Sequence, residues 1–421
     1  MSIQTIKTAI RKMRYQEQHS SDYKDIGSFI KKTRRNLRLT QDDISRGICS
    51  VSYLSKIENN QIIPTDSYVN EIMTRLNVDT DIYYQSIKDK EYLDDVIDAY
   101  FYNDDDAIHN IYQEIQHIKH DKIINLCKLA YYSYFNDQNE SSFVMMLEQL
   151  INNMKSVELQ FYVFLAIKYY MKMNLYTTAL ELLVITKDIP IDNQKMRSMI
   201  FEQSFYIMSR LNLHNSANED YKKAQFLLQS LGNQRRILEM NYKKVEMILN
   251  ETPNQAASLL ESLHKGSLAT HTTDKYMILK AEILIVTKQV SKAMIVLKDI
   301  DDTSVYYMRK MVMMYQICLE NLDYEMMKVI KEALVDYHPS KEEMHDKVMY
   351  HYLISNNEDK KEYLRDVAIP FSIRTEHYRN LKFYTHEIMQ ICIDTSRYKE
   401  ATQFYKKYQR ELERIDNIMY I

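Results

Sequence analysis

IGSFIKKTRRNLRLTQDDISRGICSVSYLSKIENNQIIPTDSYVNEIMTRLNV, residues 26–78, reads as a series of short helices, several with a capping residue in front. Ile26, Phe29, Ile30, Thr33 and Leu37 recur at helical spacing and predict a first helix over about 26–37. Thr40 offers a hydroxyl to the leading amides of a second helix, and Asp42 and Asp43 place acid at its positive end. Ile44 and Ile48 face inward there, and Gly47 stands near the end of that helix. Ser50 caps a third helix, Val51 to Asn59, with Leu54 and Ile57 as its inner face. After Pro64, Thr65 and Asp66 restart a fourth helix that carries Val69, Ile72, Met73 and Leu76.

Working outward, the remaining chain lacks the residues that sheets need. Only four glycines occur in 421 residues (Gly27, Gly47, Gly232 and Gly266), with five prolines and no tryptophan. Tight turns between strands usually require glycine, so the expected class is all-α. Four isolated glycines also cannot assemble a phosphate-binding loop or a dinucleotide fingerprint. No nucleophile–base pair or paired-carboxylate motif stands out, which speaks against an enzyme. Cys49, Cys127, Cys318 and Cys392 are scattered and form no CxxC pair, as expected of free thiols in a reducing cytoplasm. His117 and His120 lie three apart but have no cysteine or carboxylate beside them, so no metal and no cofactor is expected. The N-terminus has no long apolar run, so neither a signal peptide nor a membrane span is expected.

Charge and spacing divide the chain. Residues 1–78 carry thirteen Lys and Arg against eight Asp and Glu, whereas the rest holds 42 basic and 50 acidic residues. A basic head on an acidic body fits a phosphate-binding module joined to a different kind of domain. Beyond a linker or bridging helix at 83–90, Asn136, Asn174, Asn212 and Asn250 recur 38 residues apart, each after an apolar helical stretch, and Lys288 continues the register. Later turns are expected near Asn321, Asn357 and Ser396. A small residue follows about five positions after most markers (Ser141, Ala179, Ala217, Ala256, Ala293 and Ala401), letting the second helix of a pair approach the first. Helix pairs at this period read as tetratricopeptide-like repeats stacked in an α-solenoid, about nine pairs over 91–421. The 25 methionines and 35 tyrosines would fill that core first.

The ordered pattern TQxxIS, SxxxLSxIEN, a proline and another amphipathic helix resembles the Xre-type helix-turn-helix of phage repressors over 26–78. The resemblance implies a domain over 26–82 that binds a double-stranded DNA operator. In such domains the third helix enters the major groove and its leading residues meet base edges. By position, Val51, Ser52 and Lys56 should face bases, and Gln41, Ser50, Tyr53 and Asn59 should reach phosphates. Arg34 and Glu58 match the pair that ties the first helix to the third. Two positions depart from the pattern, because Arg38 and Asn60 stand where glycines are usual. Residues 1–25, with Lys7, Arg11, Lys12 and Arg14, form an N-terminal extension, either frayed or an arm that contacts DNA.

An Xre-type head on tetratricopeptide-like repeats resembles the PlcR/NprR group of the Rap–Rgg–NprR–PlcR–PrgX superfamily, and GICSVSYLSKIEN is especially similar to that group. The resemblance implies a cytoplasmic, homodimeric transcriptional regulator whose repeats bind a short apolar signalling peptide. It further implies an asparagine that grips the peptide backbone. Asn241 and, one repeat earlier, Gln203 match that position, and Lys168, Tyr206, Lys244 and Glu282 form a polar stripe beside it. Two alternatives stay open: repeats that hold a partner protein such as a response regulator, and repeats that serve only as a dimerisation scaffold.

Overall fold

The computed structural model describes residues 26–59, 61–62, 64–78, 80–118, 122–151, 154–186, 193–264, 270–340 and 343–419. The N-terminal extension, His120 and Asn60 lie outside them. Four short helices come first: α1 (Ile26–Asn36), α2 (Gln41–Ser45), α3 (Val51–Glu58) and α4 (Asp66–Arg75). Helix α5 (Thr80–Tyr102) runs unbroken through 83–90 and is followed by α6 (Asp105–Ile115). Helices then succeed one another in twos: α7 (Lys122–Tyr134) and α8 (Glu140–Glu148), α9 (Ser156–Lys172) and α10 (Tyr176–Thr186), α11 (Gln194–Arg210) and α12 (His214–Ser230). The series continues with α13 (Gln234–Ile248) and α14 (Pro253–His264), α15 (Thr270–Val286) and α16 (Val290–Lys298), α17 (Tyr307–Asn321) and α18 (Tyr324–Leu334). In the next repeat α19 (Met344–Ile354) is followed by α20 (Asn357–Tyr363), which passes through a π-helical turn, Leu364–Ala368, into α21 (Ile369–Arg374). Helices α22 (Tyr378–Asp394) and α23 (Tyr398–Met419) close the series. Among the described residues there is no strand, and no helix is long and apolar enough to cross a membrane. The protein is all-α, with a small helical head followed by tetratricopeptide-like helical repeats.

Two compact units emerge, one mainly of residues up to 166, the other of 167–184 and the chain from 192 onward. In the first unit Ile30, Ile44, Leu54, Ile57, Val69, Ile72, Met73 and Leu76 make one core among α1 to α4. Each such buried side chain contributes roughly 1.5–3 kcal/mol. Leu37, expected inside with them, is 50% exposed, because α1 stops at Asn36 and the chain turns away. In the second unit Met308, Met311, Met313, Met314 and Tyr315 of α17 pack with Ile278, Ala293 and Leu297, so methionine does serve the core.

The repeat markers have a backbone cause. Asn136, Asn174, Asn212, Lys288 and Ser396 have φ of 56°, 57°, 64°, 58° and 58°, the left-handed region. At each, the next amide reaches back to the carbonyl five residues earlier, as in Leu175 N–H to Tyr170 O at 2.9 Å and Leu213 N–H to Met208 O at 2.8 Å. This is the Schellman closure of a helix, in which asparagine is the usual substitute for glycine. Asn250 is the exception. Its turn is one residue longer and leads into Pro253 at the head of α14, which explains why Ala256 comes one position late. The turn expected at Asn321 falls on Leu322, with φ 57°, and Asn357 begins a helix rather than ending one. Ala179, Ala217, Ala256 and Ala293 are fully buried, whereas Ser141 is only half-buried and Glu140 takes the inner place.

Within the second unit several contacts join segments far apart in sequence. The N–H and hydroxyl of Thr177, in the first turn of α10, donate to the Glu376 carboxylate at 2.6 and 2.5 Å. Glu376 therefore caps a helix start 199 residues away.

Leu322 and Lys288 hold the left-handed conformation without asparagine's tolerance. Leu322→Gly and Lys288→Gly should each stabilise the protein by roughly 0.5–1 kcal/mol, net of the added chain entropy. Denaturant titration of the full chain checks this, with Asn174→Gly expected to gain less.

Candidate nucleic-acid interface and ligand face

Helix α2 is fastened at both ends. Asp43 N–H donates to Thr40 Oγ1 at 3.2 Å while Thr40 N–H donates to Asp43 Oδ2 at 2.8 Å, a reciprocal capping box. Donation from the Thr40 hydroxyl, at 2.6 Å, and then from its N–H holds the Asp43 carboxyl below its ordinary range. At the other end Arg75 Nη1, from α4, donates to the carbonyls of Asp43 and Arg46 at 3.2 and 3.0 Å. Three helices then meet on one carboxylate. Glu58, buried at the end of α3, accepts from Arg34 Nε at 2.6 Å and Nη2 at 2.9 Å, and from Gln41 Nε2 at 2.8 Å. Arg34 Nη1 also donates to Leu39 O at 2.7 Å, and its bond to Glu58 raises its pKa despite burial. Arg38 keeps the left-handed turn expected of glycine, with φ 57°.

With that base fixed, α3 presents a solvent face. Ser50 Oγ accepts from Tyr53 N–H at 3.1 Å and sets the helix start. Val51, Ser52 and Lys56 are exposed, Val51 by 42%. Tyr53 is half-buried against Tyr68, ring centroids 5.3 Å apart. Gln41 and Asn59 are not free at rest: Gln41 is on Glu58, and Asn59 Oδ1 accepts from Lys31 Nζ at 2.7 Å. The sequence reading missed Lys31 and Arg75, and named Asp43 for its charge but not for its bonds to Thr40. The spacing of Thr40 and Asp43 was a visible signal for those bonds.

In the second unit the six candidate ligand residues stand on the first helices of four successive repeats, α9, α11, α13 and α15. Asn241 is buried, and its Oδ1 accepts from the Tyr221 hydroxyl of α12 at 2.6 Å. Lys244 reaches Asn218 of the same helix and lies over the Tyr221 ring, and burial lowers its pKa. Tyr206 donates to Glu202 Oε1 at 3.2 Å, and burial pushes its hydroxyl pKa well up. Glu282 accepts from Arg309 Nε at 2.9 Å, across from α15 to α17. Gln203 is buried on α11, and Lys168 is half-buried on α9. The sequence reading also missed the ion pairs between first helices of neighbouring repeats. Arg236 of α13 meets Glu202 of α11 at 2.7 Å. Burial disfavours the charge on Glu246, yet Lys243, Lys275 and Arg309 hold its pKa at about 2.

A family model described as Helix-turn-helix matches residues 30–83, from within α1 to the first turn of α5. The head is a helix-turn-helix domain. No curated protein matches the chain. Solved structures share its fold. The apo form of the quorum sensor NprR from B. thuringiensis superposes with a TM-score of 0.59 at 15% identity, covering 77% of this chain and 98% of that one. NprR in complex with its cognate peptide NprX gives 0.61 at 15% identity, with the same coverage. A Rap protein complexed with competence and sporulation factor gives 0.62 at 8% identity, covering 79% and 99%.

In the helix-turn-helix domain, Glu58 is the group on which the geometry of α3 rests. Glu58→Ala would leave a mostly buried Arg34 uncompensated, a loss of about 3–5 kcal/mol. Arg34→Met with Glu58→Leu should cost less. Hydrogen exchange of the α1 and α3 amides in the full chain measures both, and unchanged protection in Glu58→Ala would remove the pair from this role.

Proposed function

We propose that this chain is a cytoplasmic, homodimeric transcriptional regulator: the helix-turn-helix domain over 26–82 reads an operator, and the repeats over 91–421 bind a short apolar peptide that alters DNA affinity. The exposed face of α3, held by a buried carboxylate and flanked by basic residues, carries the DNA half of this reading. Lys56 would donate to guanine O6 and N7, Val51 would pack on a thymine methyl, and Ser52 would meet a neighbouring edge. Ser50, Tyr53, Gln41 and Asn59 would reach phosphates. For the last two this requires giving up bonds to Glu58 and Lys31, an exchange of similar hydrogen bonds with modest net cost.

Support for the peptide half comes from the shared fold with NprR, whose structure was determined with its cognate peptide. An extended peptide carries unpaired amides, and a carboxamide offers both donor and acceptor to one backbone unit. Asn241 and Gln203 are the proposed partners, with Lys168, Tyr206, Lys244 and Glu282 beside them. A second reading has one supporting observation. Ile295 on α16 and Leu322, Tyr324, Val329 and Val335 around α18 are at least half exposed, an apolar surface suited to a second copy or a protein partner.

Lys56→Ala should weaken binding to the preferred operator by about 1–3 kcal/mol and relax one base position, whereas Gln41→Ala should weaken all sequences alike. Selection of bound sites from random DNA, followed by titration at fixed salt, tests this; equal binding to random and selected DNA overturns it. Asn241→Ala should weaken a peptide found by screening without changing DNA binding by the free protein. Peptide and operator should shift each other's affinity by one common factor, typically about 1–3 kcal/mol, which calorimetry in both orders measures.

A further inference from the structure

Most buried charges of the second unit are matched. Glu202 has Arg236, Glu282 has Arg309, and Glu246 has Lys243. Arg210, the last residue of α11, differs. Among the described residues it makes no ion pair; its guanidinium lies over the Tyr176 ring, and Nη2 sits 3.1 Å from His345 Nε2. Arginine only donates, so His345 Nε2 accepts and the ring proton belongs on Nδ1. Among the described residues, both Arg210 Nε and His345 Nδ1 are buried N–H groups without an acceptor. Two orphan donors therefore stand on side chains already in contact.

The surroundings keep that spot positive. His377 lies against His345 with its ring tilted, centroids 4.4 Å apart, and its Nδ1 accepts from Asn380 N–H at 3.4 Å. Phe371 covers the other side of His345 at 4.9 Å. Burial and Arg210 push the His345 pKa down to about 3, and burial with Arg210, His345, Lys243 and Arg379 holds His377 well below its ordinary value. The carboxylate that acts on Arg210 is Glu246, which is already engaged by Lys243. A desolvated guanidinium with spare donors, walled by aromatic rings and neutral imidazoles, lacks one thing: an oxyanion.

We propose that Arg210 and His345, with His377 behind them, bind a carboxylate of the ligand, either the free C-terminus of a peptide or an acidic side chain within it. This rests on the peptide reading above and adds the chemical group the ligand must carry. A carboxylate accepts from Arg210 Nε and His345 Nδ1 together, and supplies the charge the pocket lacks.

The test begins with the anion alone. Acetate and inorganic phosphate are titrated onto the full chain carrying nitrogen-labelled histidine, with His345 assigned from His345→Gln. A saturable shift of the His345 Nδ1 signal, as of a ring N–H that gains an acceptor, is expected, and it should vanish in Arg210→Met, which keeps the contact with Tyr176. A linear shift, or the same shift in Arg210→Met, overturns the site. If Arg210→Met does not fold, the titration of the parent and of His345→Gln still decides it. The second arm uses three pools of apolar heptapeptides: free C-terminus without acidic residues, amidated with one aspartate, and amidated without charge. One charged pool should bind at least roughly tenfold more tightly than the uncharged one, and which pool does so identifies the source. Equal binding of all three overturns the carboxylate requirement while leaving the peptide reading in place. Binding of no pool, with a saturable acetate shift, overturns the peptide reading and leaves the oxyanion site.

Discussion

A helix ends most sharply where some residue accepts a left-handed backbone, and this chain has almost no glycine to place there. The repeats depend on that constraint. The closures at Asn174 and Asn212 leave three residues between helices and that at Asn136 leaves five, so that the next helix starts beside the one just finished. Asparagine meets the requirement because its short polar side chain tolerates φ near +57° better than other residues with a Cβ. The same geometry is held by Lys288, Leu322 and Ser396, so the packing of the helix pairs outweighs a local cost of about 1–2 kcal/mol at such positions. The small residue that follows the turn completes the unit. Ala179, Ala217, Ala256 and Ala293 are wholly buried, where a larger side chain would push the second helix away.

The head solves a different problem, namely how to hold a reading helix steady while leaving its outer face to water. A core of eight apolar residues cannot set the rotation of an eight-residue helix by itself. Glu58 adds the missing constraint, because a buried carboxylate with three donors from two other helices has a single satisfactory position. A buried ion pair is weak support for stability in general, and its better-attested use is to specify one arrangement. That suits the surface proposed to read bases, on which Val51, Ser52 and Lys56 stand. The capping box at Thr40 and the Arg75 clamp act in the same sense on the neighbouring helix.

What could be read from sequence follows from how local each cause is. The helical class was legible because glycine scarcity is a property of the whole chain. The markers at a 38-residue period were legible because asparagine in the left-handed region is a preference of residue type. Leu322 was not legible, since leucine carries no such signal and the adjacent Asn321 does. The roles of Arg34 and Glu58 came from a long ordered pattern, whereas Lys31 on Asn59 has no pattern of its own. Contacts between repeats were the least legible. Glu202 with Arg236 and Thr177 with Glu376 join residues 34 and 199 apart, and nothing in either neighbourhood announces the partner. Neighbouring solenoid repeats meet through whichever polar residues their shared face happens to carry.

The placement of Asn241 bears on how such a face could respond to a ligand. Its carbonyl oxygen is already occupied by the Tyr221 hydroxyl, which comes from the second helix of the preceding repeat. A peptide amide that took this acceptor outright would leave a buried hydroxyl unpaired, a penalty of about 1–3 kcal/mol. The exchange is nearly neutral only if Tyr221 moves to a new acceptor, or if the carboxamide serves both donors through its two lone pairs. In the first case α12 must shift relative to α13, and a small rearrangement at one repeat interface passes along a stack in which each repeat contacts its neighbours. In the second case binding is local and transmits nothing. The hydrogen bond between Tyr221 and Asn241 is therefore where binding and signalling would separate, because keeping it permits occupancy while breaking it is what would move the repeats.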